Sequence, residues 1–366
     1  MRQIVAKTVL HRDVGGDCAA MHTRCSQSRV DRGAAANHCC VAMMKAAVMS
    51  GYGAPSVLAL RDVSAPAPKD DEILVRVRAS TVSSGDARVR AANFPGGFEV
   101  IARLVFGWTK PRQPVLGVDV AGVVEAVGKT VVDFRPGDEV FGMSGMGMGA
   151  HAELCVISSK GCIARKPAGL SFEQSAALTF GGTTVLDFFR RARLARGERV
   201  LVNGASGAVG VAAIQLAKHL GAHVTAVCSA RNFELVESLG ADQVIDYNAR
   251  DFADGREQWD VVMDTVGNTP YRRSKRALRD RGRLLLVLAT LRDIVTAPWF
   301  SWTSKHRVIA GPVEERREYV ETLAELAREG RIRAVIDQEF ALERIAEAHA
   351  VVDSGRKRGS VVLRVS

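Results

Sequence analysis

The sequence predicts an α/β protein with two domains, one rich in β-strands and one in which strands alternate with helices. Its 366 residues are enough for about two cores of ordinary size. Hydrophobic residues make up 47 % of the chain and glycines number 34, which is typical of a folded, turn-rich protein. No apolar run approaches the roughly 20 residues that a membrane-spanning helix requires. These observations exclude a disordered chain and a membrane-spanning protein.

The first 43 residues differ from the rest. They carry six basic and three acidic side chains and show no regular hydrophobic period, so we expect a disordered extension over residues 1–43. A transit peptide is an alternative, although the three aspartates are unusual in one. Another alternative is a metal site, although the spacing matches none of the usual zinc modules. Its ligands would be Cys18, His22, Cys25, His38, Cys39 and Cys40.

The remaining cysteines are too few for a disulfide framework. Only Cys155, Cys162 and Cys228 lie beyond the extension, so we predict a reducing, cytoplasmic location. The net charge of +10 permits acidic ligands or nucleic acid but requires neither.

The first part of the body is mostly β. Alternating residues predict strands over 46–49 and 72–78, and 115–124 is a β-rich run broken by glycines. A tight turn at 136–138 leads into a strand over 139–141.

From about Glu173 strands alternate with helical segments, which indicates a parallel sheet. Helices are predicted over 209–220, 232–239 and 314–330, and a last strand over 360–365. The strands between them are predicted over 199–203, 223–228, 243–246, 260–266, 283–287 and 307–309.

A glycine-rich turn over 204–210, Gly-Ala-Ser-Gly-Ala-Val-Gly, separates the strand ending at Asn203 from the next helix. Glycines permit a tight turn and a close approach to a pyrophosphate, and the helix N-terminus offers free N–H groups. The order of strand, turn, helix and strand predicts a doubly wound, dinucleotide-binding Rossmann domain.

The residues after the second strand predict the type of dinucleotide. That strand ends at Cys228, and Ser229-Ala230-Arg231-Asn232 follows in place of the acidic residue that binds the ribose of NAD. A hydroxyl and a guanidinium suit a 2′-phosphate, so we predict NADPH rather than NADH. The alternative is that Arg231 is an exposed residue at a helix start.

Several motifs together resemble those of the medium-chain dehydrogenase/reductase superfamily, over residues 45–366. They are Leu-Gly-Val-Asp-Val-Ala-Gly-Val-Val-Glu-Ala-Val-Gly at 116–128, Phe-Arg-Pro-Gly-Asp-Glu-Val at 134–140 and Gly-Gly-Thr-Thr at 181–184. Within the superfamily the body is similar to the zinc-free quinone oxidoreductases and alkenal reductases, and residues 223–247 resemble the chloroplast-envelope group.

The resemblance implies a GroES-like catalytic domain over 44–168 and 312–366, and a Rossmann NADP-binding domain over 169–311. It places Thr183 close to the cofactor. With the glycine turn and the strand ends, the predicted cofactor-binding residues are Thr183, Asn203, Gly204, Ala205, Ser206, Gly207, Ala208, Val209, Gly210, Ser229, Arg231, Asn232, Tyr247 and Val266.

Zinc enzymes of the superfamily carry Cys, His-Glu and Cys at the catalytic metal. The matching positions here are Ser83, Val118-Asp119 and about Thr179, so we predict no metal site. His151 and Cys155 fall in a strand predicted over 150–157, and we expect them to be structural.

The catalytic residues are predicted in the turn 83–88, which lies beside the nicotinamide in related reductases. NADPH can deliver hydride to a quinone or to the β-carbon of an enone, and a donor must stabilise the charge that develops on oxygen. We predict Arg88 as that electrostatic group and Ser83 beside it, the alternative for Arg88 being an outward helix residue. Asp86 and Asp119 are expected to be structural, binding backbone near the turn.

Residues 93–114 contain four aromatic side chains and either cover the substrate cleft or pack as a helix on the β domain. The loop 145–149 is expected to border the same cleft. Relatives carry Gly-Lys before the last strand, whereas this chain has Gly359-Ser360, so no role of that lysine transfers.

The predicted function is zinc-independent, NADPH-dependent reduction of quinones or α,β-unsaturated carbonyls, with a small apolar electrophile as substrate and a homodimer as assembly. The alternative is a non-catalytic NADPH-binding protein with a nucleic-acid-binding or sensing role. A basic stretch supports this alternative, although the stretch lacks the interleaved aromatic residues that are typical of nucleic-acid-binding surfaces. On a single helix face it would present Arg272, Arg276, Arg279 and Arg283.

Overall fold

The computed structural model describes residues 42–365. The predicted extension and its alternative metal site lie outside the described residues, except that Met43 already begins the first strand.

The described residues form two large sheets and one two-stranded ribbon, with helices packed against them. The helices are α1 (Ser84–Ala91), α2 (Glu99–Phe106), α3 (Phe172–Ala192), α4 (Ala208–His219), α5 (Phe233–Ser238), α6 (Tyr271–Ser274), α7 (Leu291–Thr303), α8 (Arg317–Arg328) and α9 (Ile345–Asp353). The strands are β1 (Met43–Met49), β2 (Leu58–Ser64), β3 (Glu72–Val82), β4 (Asp119–Val127), β5 (Glu139–Met143), β6 (Leu154–Ser158), β7 (Ile163–Arg165), β8 (Arg199–Asn203), β9 (His223–Cys228), β10 (Gln243–Asp246), β11 (Trp259–Asp264), β12 (Leu278–Leu286), β13 (Arg307–Ile309), β14 (Ile336–Ala341) and β15 (Ser360–Arg364).

The first large sheet combines the early strands with the end of the chain. Its order is β14-β15-β3-β4-β5-β7, and β6 pairs with the free part of β3. β15 runs antiparallel to β3, with Val361 opposite Val82. Apolar side chains from its strands, such as Ile73, Val140 and Leu363, are fully buried in its core. The last strand therefore returns to the domain that the first strands begin.

The second sheet is parallel throughout, in the order β10-β9-β8-β11-β12-β13. From β8 the chain continues to β9, which pairs with one edge of β8, and it later forms β11, which pairs with the other edge. This reversal of order opens a crevice at the carboxyl ends of β8 and β11, where parallel sheets bind ligands. The predicted fold class, a GroES-like domain with a Rossmann sheet, is confirmed.

The sequence pattern did not predict the long helix α3. A capping box starts it, because Ser171 accepts from the Gln174 N–H while the Gln174 side chain accepts from Ser171. The glycines in its middle let it pack closely on its neighbours. A Cβ at Gly181 would lie 2.3 Å from the carbonyl oxygen of Ala208, and one at Gly182 would lie 2.5 Å from Leu323.

Two other expectations were wrong. The basic stretch 272–283 is not one helix, because α6 ends at Ser274 and β12 begins at Leu278. Arg279 and Arg283 pair with Asp260 and Glu198 at 3.2 and 2.6 Å. The strand predicted over 150–157 begins only at Leu154.

Candidate active site

A cleft of about 510 Å³ lies between the carboxyl ends of the parallel strands and the GroES-like domain. One wall is the loop after β8 and the residues that follow β9 and β11. The other wall contains the start of α1, the first residue of β4 and the segment between α9 and β15. The predicted site residues that line it are Ser83, Arg88, Asn203, Gly204, Ser206, Gly207, Ala208, Val209, Ser229, Arg231, Asn232, Tyr247 and Val266.

The glycine turn is shaped for close approach. Gly204 has φ +82°, a conformation that favours glycine. A Cβ at Gly210 would lie 2.3 Å from the carbonyl oxygen of Gly204, so only glycine lets α4 start this close to the turn. Gly207 caps α4 without a side chain, which leaves the first N–H groups of the helix open to an anion. These residues fit a dinucleotide pyrophosphate.

Hydrogen bonds join this turn to the neighbouring strand ends. The Asn203 amide donates to Asp264 Oδ1 at 2.9 Å and to Asn268 Oδ1 at 2.8 Å. The Asn232 amide donates to the hydroxyls of Ser206 at 3.0 Å and Ser229 at 3.3 Å. The turn is thus held in place from both sides of β8.

Three predicted cofactor-binding residues do not line the cleft. Thr183 is buried inside α3 and donates its hydroxyl to the Thr179 carbonyl at 2.9 Å. Ala205 is fully buried in the Rossmann core, and Gly210 packs against the turn rather than against the open cleft.

Guanidinium groups gather where the adenosine end of a dinucleotide would lie. Arg231 donates to the Arg356 carbonyl at 3.2 Å, and both residues line the cleft beside Tyr247. Arg273 also lines it and pairs with Asp251 at 3.1 Å. The sequence pattern missed Arg356 because it lies 125 residues beyond Arg231.

The turn at the start of α1 forms the opposite end of the cleft. Ser83 caps the helix and donates its hydroxyl to Asp86 Oδ2 at 2.6 Å. Asp86 also accepts from the N–H groups of Ser83 and Gly117, so it is structural, as expected. Ser83 lines the cleft with its hydroxyl bonded to Asp86, and the catalytic role predicted for it stays a prediction.

Arg88 is half-buried in the lining of the cleft. Burial lowers the pKa of its guanidinium, with no carboxylate of the described residues acting against that effect. The group remains a cation at neutral pH. Arg88 can therefore present positive charge to a bound ligand.

Two further ionisable groups line the cleft: Lys357, which the sequence pattern missed, and Asp119, which it expected to be structural. Lys357 donates to the Gly359 carbonyl at 2.6 Å, and burial lowers the pKa of its ammonium to about 8. It lies three residues before Ser360, the position of the lysine in relatives. Asp119 is 2 % exposed, and burial raises the pKa of its carboxyl to about 8. The Thr81 hydroxyl donates to it at 2.5 Å.

Neither the aromatic segment 93–114 nor the loop 145–149 lines the cleft. Phe94 and Phe106 stack at 5.7 Å and pack on the core of the GroES-like domain. Of the two expectations for this segment, packing on the β domain is observed for these two rings, whereas α2 buries only Ala102 and leaves most of its apolar residues exposed.

His151 and Cys155 occupy interior positions, as expected. The His151 ring contacts the Thr81 carbonyl at 2.9 Å and is fully buried. Cys155, Cys162 and Cys228 are all free and buried.

Residues 42–365 contain no helical segment that has both the length and the hydrophobicity required to span a bilayer.

Comparisons with known proteins agree with this architecture. Residues 69–168 match the alcohol dehydrogenase GroES-like domain family, and residues 239–363 match a family described as zinc-binding dehydrogenase. The chloroplastic quinone oxidoreductase of Triphysaria versicolor is 31 % identical over 338 residues, covering 88 % of this chain and 98 % of that protein. The 2-methylene-furan-3-one reductase of Solanum lycopersicum is 31 % identical over 332 residues, covering 87 % and 79 %.

Solved structures give the same result. The quinone oxidoreductase from Coxiella burnetii superposes with a TM-score of 0.79 at 29 % identity, over 89 % of this chain and 100 % of that one. The Escherichia coli quinone oxidoreductase complexed with NADPH superposes with a TM-score of 0.73 at 26 % identity, over 88 % and 99 %.

The residues do not fit the zinc that one family description implies. Val118 has no donor atom, the Ser83 hydroxyl is bonded to Asp86, and Thr179 donates its hydroxyl to Ser175 at 3.1 Å. Protein zinc sites use thiolates, imidazoles and carboxylates, and among these matching positions only Asp119 carries such a group. Within the described part of the chain, no group of three His, Cys, Asp or Glu could hold a metal ion.

The two-sheet architecture, the glycine turn at the switch point of the parallel sheet and the relatives over most of the chain lead to one conclusion. The chain is an oxidoreductase of the medium-chain dehydrogenase/reductase superfamily and belongs to its family of quinone oxidoreductases and alkenal reductases.

Proposed function

We propose that this chain is an NADPH-dependent reductase that acts on quinones or α,β-unsaturated carbonyls without a metal ion. The observation that carries the proposal is one continuous cleft that joins the glycine turn to Arg88. A dinucleotide held at the turn would extend toward Arg88 along this cleft. The names of relatives support both acceptor classes, since they include quinone oxidoreductases and an alkenal/one oxidoreductase.

The chain's own residues suit NADPH rather than NADH. Ser229, Arg231 and Arg356 lie together beyond the end of β9. Their hydroxyl and guanidinium groups can bind a 2′-phosphate through charge-assisted hydrogen bonds. Among the described lining residues the one acidic side chain is Asp119, at the opposite end of the cleft.

The residues at the α1 end suit an electron-poor, apolar substrate. When bound, the nicotinamide supplies a hydride to such a carbon. Arg88 would stabilise the negative charge that develops on the substrate oxygen. Val82, Phe180 and Val352 provide apolar walls nearby. This combination favours a small unsaturated ketone, aldehyde or quinone.

Consumption of the reduced nicotinamide tests this proposal. Purified protein, treated with a chelator, is mixed with NADPH or NADH and then with a benzoquinone or a 2-alkenal. We expect turnover with NADPH, weaker turnover with NADH and no effect of the chelator. Loss of turnover on chelation, with recovery on adding zinc, would contradict metal independence. NADPH binding without reduction of either acceptor would favour a sensing role instead.

We also propose a homodimer that forms through α7 and the edge strand β13. Trp299 and Trp302 on α7 are 60 % and 80 % exposed, and their rings pack at 5.8 Å. An edge strand with an adjoining apolar surface is typical of a subunit interface. Light scattering should give about twice the chain mass of 39.4 kDa, and Trp302→Glu should reduce it to the monomer. A wild-type monomer would contradict this assembly.

The cytoplasmic location stays a proposal that the sparse cysteines support. Free thiols at the three described cysteines are compatible with a reducing compartment. Fractionation of the source cells would test it, and recovery in an organelle would contradict it.

A further inference from the structure

A carboxyl group at the floor of the cleft has an oxygen atom without a partner. Asp119 is the first residue of β4 and lines the cleft although it is only 2 % exposed. Its Oδ2 accepts from the Thr81 hydroxyl at 2.5 Å, while Oδ1 is buried with no hydrogen-bond partner among the described residues. Buried polar atoms are rarely left unpaired in this way, so Oδ1 is a candidate for contact with a ligand.

The surroundings of Asp119 favour its neutral form. Burial raises the pKa of the carboxyl to about 8, and the Asp86 carboxylate on α1 acts in the same direction. The Thr81 hydroxyl, the Phe180 backbone and the Lys357 ammonium act against it. The balance of these effects favours the protonated carboxyl at neutral pH. Because Oδ2 is engaged with the Thr81 hydroxyl, we assign the proton of the neutral form to Oδ1, the atom without a partner.

Other groups in the cleft are poorly suited to give up a proton at this end. The Ser83 hydroxyl is directed at Asp86, and the Arg88 guanidinium remains charged. Cys228 and Tyr247 lie at the ends of β9 and β10, on the side of the predicted 2′-phosphate. Lys357 is the remaining titratable group, and its ammonium donates to the Gly359 carbonyl.

We propose that Asp119 is the proton donor of the reaction, delivering the proton on Oδ1 to the substrate. This step rests on the proposed function. The substrate forms a C–H bond with the hydride at its electron-poor carbon, and its oxygen, where the negative charge develops, forms an O–H bond with the proton from Asp119. Together the substrate gains two electrons and two hydrogen nuclei. NADPH is oxidised to NADP⁺, and the O–H bond of Asp119 breaks. The resulting carboxylate is stabilised by the Thr81 hydroxyl and the Lys357 ammonium, and it regains a proton from water.

The first test measures protonation without turnover. Infrared spectra of cofactor-free wild type and Asp119→Asn are compared across about pH 6 to about pH 10. The difference spectrum should contain a protonated carboxyl band at neutral pH that disappears above about pH 8. A carboxylate band at neutral pH would overturn the proposal whatever the activity of the enzyme.

The second test uses turnover of a 2-alkenal over the same pH range. Wild-type kcat should fall with a single ionisation near pH 8, because the acid form is required. Asp119→Asn should lower kcat by about 100-fold and remove this ionisation. Its Kd for NADPH should stay within about twofold, which would show that the cleft is intact. Undiminished kcat, or an unchanged pH profile, would overturn the proposal.

Lys357→Gln separates the two titrating groups. Loss of the ammonium removes a charge that favours the Asp119 carboxylate, so the ionisation should move to higher pH. Disappearance of the ionisation in this variant would assign it to Lys357 and overturn the proposal. A wild type that consumes NADPH with neither acceptor would instead overturn the proposed function and, with it, this step.

Discussion

The backbone N–H of Gly359 donates to the carbonyl oxygen of Ser206 at 2.8 Å. This bond ties the segment before the last strand of the GroES-like domain to the glycine turn of the Rossmann domain. Arg356 and Lys357 enter the cleft from the same segment. The two domains therefore share one site whose geometry depends on this junction.

We expect Gly359→Ala to weaken NADPH binding by about tenfold. Gly359 has φ +72°, and a Cβ there would lie 2.1 Å from the Val335 carbonyl oxygen, so the backbone must shift at the residue that bonds Ser206. Fluorescence titration with NADPH measures the effect. Gly330→Ala is the matched control, because φ is +69° and the space around it is open. Equal affinities in the two variants would contradict a role for the junction.

Arg231→Ala should raise the Kd for NADPH by about tenfold or more and leave that for NADH unchanged. The loss corresponds to a charge-assisted hydrogen bond to the 2′-phosphate. Calorimetric titration with both nucleotides measures it. Arg272→Ala is the control, since Arg272 is exposed on α6 and does not line the cleft. A parallel loss of NADH affinity would show that Arg231 does not read the 2′-phosphate.

Asp353→Ala should lower the free energy of unfolding by about 2 kcal/mol, because it leaves the Arg90 guanidinium unpaired. Arg90 is 1 % exposed and donates to both carboxylate oxygens of Asp353, at 2.7 and 2.6 Å. Urea denaturation gives the value. Glu347→Ala on the same helix breaks an exposed pair with Arg344 and should cost much less, because solvent screens that pair. Equal losses would contradict the difference in burial.

Stability should fall in acid because of His349. This side chain is fully buried without hydrogen-bond partners among the described residues, and burial lowers its pKa from 6.5 to about 2. Below pH 6.5 the His349 imidazole binds a proton in the unfolded chain but not in the folded chain. His349 thus contributes stability that is complete above pH 6.5 and declines as pH falls.

His349→Leu should remove about 2 kcal/mol of the stability difference between pH 7.5 and pH 5. Some acid sensitivity should remain, because burial also lowers the pKa of His151. Urea denaturation at the two pH values measures the difference. His219→Leu, at an exposed position, is the control and should behave as wild type. An unchanged pH dependence in His349→Leu would contradict the assignment.

Local sequence patterns predicted the parallel sheet well. Strands such as Arg199–Asn203 and His223–Cys228 are covered on both faces, so they appear as continuous apolar runs with clear ends. Helix α3 escaped prediction because buried residues and two glycines occupy its middle, which hides the helical period. Its capping box at Ser171 and Gln174 was the available signal.

The site also contains residues that local sequence patterns could predict and residues that they could not. The glycine turn could be predicted because its residues are contiguous and their role depends on backbone geometry. Asp119, Arg356 and Lys357 could not, because their environment is formed by segments far apart in the chain. The raised pKa of Asp119 depends on burial and on Asp86, neither of which a sequence pattern reveals.

The most direct measurement follows the transferred hydrogen. The enzyme is supplied with a 2-alkenal and NADPH that carries deuterium at the transferable position of the nicotinamide ring, each face labelled in turn. We expect mass spectrometry to find one deuterium at the β-carbon of the product with one labelled face and none with the other. A product without deuterium from either face, or no product at all, would contradict hydride transfer to this class of substrate.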